Sequence, residues 1–84
     1  MELYLTLFYP NSDETEIIGI FDKRTLAESA GNSHSMNRSK DDRRLLWIDF
    51  PGEDGRTIIS AGAEFGGYVI LPYQLNQVVH DATH

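Results

Sequence analysis

Residues 2–22 read ELYLTLFYPNSDETEIIGIFD, and this stretch decides the fold. Leu3, Leu5, Leu7 and Tyr9 alternate with Glu2, Tyr4, Thr6 and Phe8, a period of two that belongs to a β-strand. Apolar groups stand on both sides of that alternation, so the strand is expected inside a sheet rather than at its edge. Pro10, Asn11, Ser12 and Asp13 are turn residues. Glu16 to Phe21, rich in β-branched isoleucine, then reads as a second strand forming a hairpin with the first.

Working outward, Asp22 is placed to cap a helix, because its carboxylate can accept from free backbone N–H groups. Leu26, Ala27 and Ala30 share one helical face, and Gly31 fits the position just past a helix end. The expected helix therefore has about two turns. Residues 31–42 are polar and read as the longest loop. Residues 43–50 read as a third strand, with Leu46, Ile48 and Phe50 on one face and Leu45, Trp47 and Asp49 on the other. A turn over residues 51–55 leads to a fourth strand at 57–61. Gly62, Gly66 and Gly67 punctuate the approach to a fifth strand at 68–71. Pro72 suits the first turn of a helix, and Leu75, Val78, Val79 and Ala82 have amphipathic helical spacing. The expected architecture is a single α+β domain over residues 1–84, in the order ββαβββα, with a mostly antiparallel sheet and helices on one face.

The chain has no cysteine, which removes disulfides, thiolate nucleophiles and zinc–thiolate sites. Together with an N-terminus lacking a basic leader, this points to a cytoplasmic protein. No apolar run approaches the ~18 residues of a membrane span, so no membrane partner is expected. The net charge of −6 argues against direct nucleic-acid binding, which needs a cationic face, and suits a basic protein partner. All seven Lys and Arg fall between Lys23 and Arg56.

No arrangement of residues points to catalysis, a cofactor or a metal, so a non-enzymatic binding role is expected. His80 and His84 have a metal-ligand spacing with Asp81 between them, but they sit on the last residues, where a second shell is not expected. Ser33, His34 and Ser35 are adjacent, a poor arrangement for a convergent nucleophile and base. Gly66 and Gly67 precede a strand rather than a helix, so they read as backbone devices and not as a phosphate loop. Arg38, Lys40, Arg43 and Arg44 form a basic cluster that could contact nucleic acid, but Asp41 and Asp42 lie within it, which favours a solvated loop. Asp13, Glu14 and Glu16 at the first hairpin, with Glu53 and Asp54 on a later turn, are expected on the surface. If they act, they match a Lys- or Arg-rich protein face. Trp47, with neighbouring strand aromatics, is the expected apolar centre of such a partner-binding surface. An exposed edge strand is also available to pair two copies into a homodimer.

Ile17-Ile18-Gly19-Ile20-Phe21, then Asp22 and Ala27, resembles the opening of a broad group of small α+β proteins encoded by phages and other mobile elements. Tyr73-Gln74-Leu75-Asn76 is similar to their closing stretch. The resemblance covers about a third of the chain, and residues 31–67 depart from it. It implies a setting: an anti-defence inhibitor of the anti-CRISPR kind that binds a larger, basic nucleic-acid-handling host protein. An immunity protein covering a bacterial toxin is the alternative, and a small nucleic-acid-binding regulator using the basic cluster is a third possibility.

Overall fold

The computed structural model describes residues 2–39, 44–52, 56–62 and 66–74. These form strands β1 (Glu2–Asn11) and β2 (Glu14–Phe21), helix α1 (Arg24–Ser39), and strands β3 (Ile48–Pro51), β4 (Thr57–Gly62) and β5 (Gly67–Gln74). The five strands make one antiparallel sheet in the order β2-β1-β5-β4-β3. The expected α+β class holds, and β1 has a partner on each side, as its two apolar faces required. The helix connects the two edges: β2 is one outer strand, β3 the other, and α1 carries the chain between them. It packs on β1, β2 and β5. No helix among the described residues is long and apolar enough to cross a membrane.

Register fixes which side chains meet α1. Phe21, Tyr4 and Pro72 make one row across the sheet. Gly19, Thr6, Ile70, Ile59 and Asp49 make the next, and Glu16, Phe8, Tyr68 and Ala61 the third. The core lies beneath the helix on this face. Thr6, Phe8, Ile59, Ala61, Tyr68 and Ile70 are buried there, together with Ala27 of the helix. Thr6 could be costly in such a place, but its hydroxyl donates to the Ala27 carbonyl at 3.1 Å, which satisfies the buried oxygen.

The helix differs most from expectation. It is sixteen residues long, and Gly31 lies within it, buried, rather than past its end. The expected polar loop is helical as far as Ser39. The first helical bond runs from the Ala27 N–H to the Lys23 carbonyl, which places the cap at Lys23, one residue beyond Asp22. Leu26, expected on the buried face, is exposed. The face that packs is Ala27, Gly31, His34 and Arg38, at i, i+4, i+7 and i+11. That stripe has the correct period but contains one small residue, one glycine and two polar rings or heads. A hydrophobicity pattern therefore passes over it, and tertiary packing sustains the helix instead.

Gly31 is required by close approach. A Cβ there would lie 2.7 Å from two carbons of the Trp47 indole. Asn32, next along the helix, accepts from the Leu45 backbone N–H at 3.1 Å and from the Trp47 indole N–H at 3.2 Å. These bonds commit residues 45–47 to the helix, so β3 begins at Ile48 rather than at 43. The alternation expected for this stretch survives. Trp47 and Asp49 face the helix, while Ile48 and Phe50 face away.

Pro72 does not open a helix. β5 continues through it to Gln74, paired with β1. Pairing of β5 with β4 ends at Ile70, so β5 has an unpaired side at Pro72, the setting in which a strand tolerates a missing N–H. The amphipathic stretch from Leu75 to Ala82 lies outside the described residues.

Candidate functional site: an open apolar sheet face

The sheet has a second face, turned away from α1. The same registers place Leu3 and Tyr73 in one row on it, and Ile20, Leu5 and Leu71 in the next. Ile17, Leu7, Val69, Ser60 and Ile48 form a row crossing all five strands, and Phe50 stands opposite Ile58 near β3. Every one of these strand residues is apolar except Ser60 and the Tyr73 hydroxyl, and none is charged. The charged strand residues Glu2, Glu16 and Asp49 register on the helix side. Leu7 is buried and the residues beside it on this face of β1, β5 and β4 are half-buried, whereas on the edge strands Ile17 is 71% exposed, Ile20 63%, Phe50 49% and Ile48 46%. Leu46, just before β3, is 75% exposed. A half-solvated antiparallel sheet normally alternates apolar and polar positions. Here both alternations are apolar, and only one is covered by the described residues.

The acidic hairpin borders this face. Asp13 sits at the β1–β2 turn, where its backbone N–H donates to Asn11 Oδ1 at 2.8 Å, and Glu14 begins β2. Both are exposed. Thr6 opposes Gly19 while Leu7 opposes Ile17, so Ile18 is an extra residue in β2, a bulge that twists this edge. Glu16 falls on the helix side of the bulge, with Oε2 3.8 Å from His34 Nε2. Trp47 is not part of the open face. It is half-buried, packed against Gly31 and Tyr68 beside the core. Glu53 and Asp54 lie outside the described residues.

No family model, curated protein or solved structure matches this chain. The open face, its border and the helix-side groups therefore carry the functional reading by their chemistry alone.

The basic cluster does not form a patch among the described residues. The Arg38 guanidinium lies 4.7 Å above the Phe8 ring on the sheet side of the helix, while Arg44 is exposed near Asn32 and Met36. Lys40 and Arg43 lie outside the described residues, as do His80, Asp81 and His84. Near the start of α1, a cleft of about 380 Å³ is lined by Glu2, Tyr4, Arg24, Asp49, Arg56 and Tyr73 among others. Its charges are already matched. Arg24 forks onto Asp49 at 2.6 and 3.1 Å and reaches Glu28 at 2.7 Å. This fork holds the Asp49 carboxyl below its usual range and ties the helix start to β3. Arg56 lies over the Tyr73 ring at 5.5 Å.

On the helix side, the Tyr68 hydroxyl is 2.7 Å from His34 Nδ1, and Phe8 stacks against both rings at 4.8 Å. Sequence reading did not connect these three residues, which come from three elements. Burial pushes the Tyr68 phenol above its usual pKa, because the phenolate would lose water. A raised folded-state value means stability that is complete below the unfolded pKa of about 10 and lost as pH climbs through the folded value. Wild type should therefore lose stability on going from pH 8 to pH 11, and Tyr68→Phe should lose less. Urea midpoints at the two pH values check this. Equal losses in the two proteins would remove Tyr68 as the responsible group.

Proposed function

We propose that this protein is a non-enzymatic binding protein, an inhibitor of phage or prophage type. It acts in the host cytoplasm by covering a surface of a larger, basic, nucleic-acid-handling protein. One observation carries this reading: an apolar sheet face that no described element covers, with Ile17 and Ile20 exposed at one edge and Ile48 and Phe50 at the other, is bordered by the acidic β1–β2 turn. Large apolar side chains left exposed together on a sheet face mark interaction sites. The buried centre of such a contact supplies affinity. The acidic rim supplies encounter rate and rejects acidic surfaces. The net charge of −6 and the resemblance of residues 17–27 to small mobile-element proteins support the choice of partner.

Using the protein as bait in a host lysate tests this. Changing Asp13, Glu14 and Glu16 together to Lys should reduce the captured partner several-fold at low salt. The gap should close as salt shortens the Debye length below ~8 Å. Circular dichroism should be unchanged, since all three side chains are exposed. Equal capture by the two proteins at low salt would end the acidic-rim reading.

A further inference from the structure

We draw no further inference here: the strongest candidate, the apolar sheet face turned away from α1 with Ile17 and Ile20 exposed at one edge and Ile48 and Phe50 at the other, belongs to the site already described, and nothing in the structure shows what covers it.

Discussion

Replacing Phe8 with alanine is expected to lower the unfolding free energy by about 3–5 kcal/mol, the range for emptying a fully buried aromatic site. Phe8 has no exposed surface. Its ring touches Tyr68 and His34 and lies beneath Arg38, so it joins β1, β5 and the second half of α1. A chain of 84 residues has a total stability of about 4–12 kcal/mol, so the variant should be partly unfolded at moderate temperature. Phe50→Ala is the matched control. Phe50 is half-exposed on the other face, and in dilute solution its loss should cost ~1 kcal/mol or less. Urea titrations of the two variants give the comparison directly. Similar midpoints would mean that the wrong side of the sheet has been assigned as the core.

Gly66→Ala is expected to cost about 2–4 kcal/mol, the sum of a left-handed backbone penalty and local overpacking. Gly66 has a φ of 100°, and a Cβ there would be driven into the Tyr9 carbonyl oxygen and against Pro10. The obstacle is backbone, which cannot swing aside as a side chain would. Gly62, at the end of β4, is the contrast: a Cβ there meets nothing within 4 Å, so Gly62→Ala should be near neutral. Thermal melts of both variants decide the matter, and equal melting temperatures would be incompatible with this turn geometry.

The strands were legible because their information is local. Alternation gave β1 its interior place, isoleucine content and turn residues gave the hairpin, and the parity of Trp47, Ile48, Asp49 and Phe50 was correct even where the strand proved shorter. The second half of α1 was not legible. Its packing stripe of Ala27, Gly31, His34 and Arg38 depends on aromatic partners in β1 and β5 and on Trp47, all distant in sequence. A glycine that admits an indole looks, in isolation, like a glycine that ends a helix. Pro72 misled for a similar reason, since its tolerance depends on where β4 stops pairing. Part of the candidate site was legible: the acidic turn was expected on the surface and is exposed there, whereas Trp47, expected at an apolar centre, packs half-buried against Gly31. The apolar face away from the helix was written in the odd-numbered residues of β1 and in Ile17 and Ile20, a surplus that one helix does not cover.

β1, an interior strand, is the first of the five to be made, and its second neighbour β5 is the last: Glu2 pairs with Gln74. During synthesis the hairpin therefore emerges with the inner flank of β1 unpaired, and it stays so until β5 leaves the ribosome. At roughly 5–20 residues per second that delay lasts several seconds. Through this interval Leu3, Leu5 and Leu7 are displayed on a strand already held extended by β2, a template for any passing β-segment. Closure of the domain is thus a late, all-at-once event, and the nascent chain is most exposed to misassociation just before it.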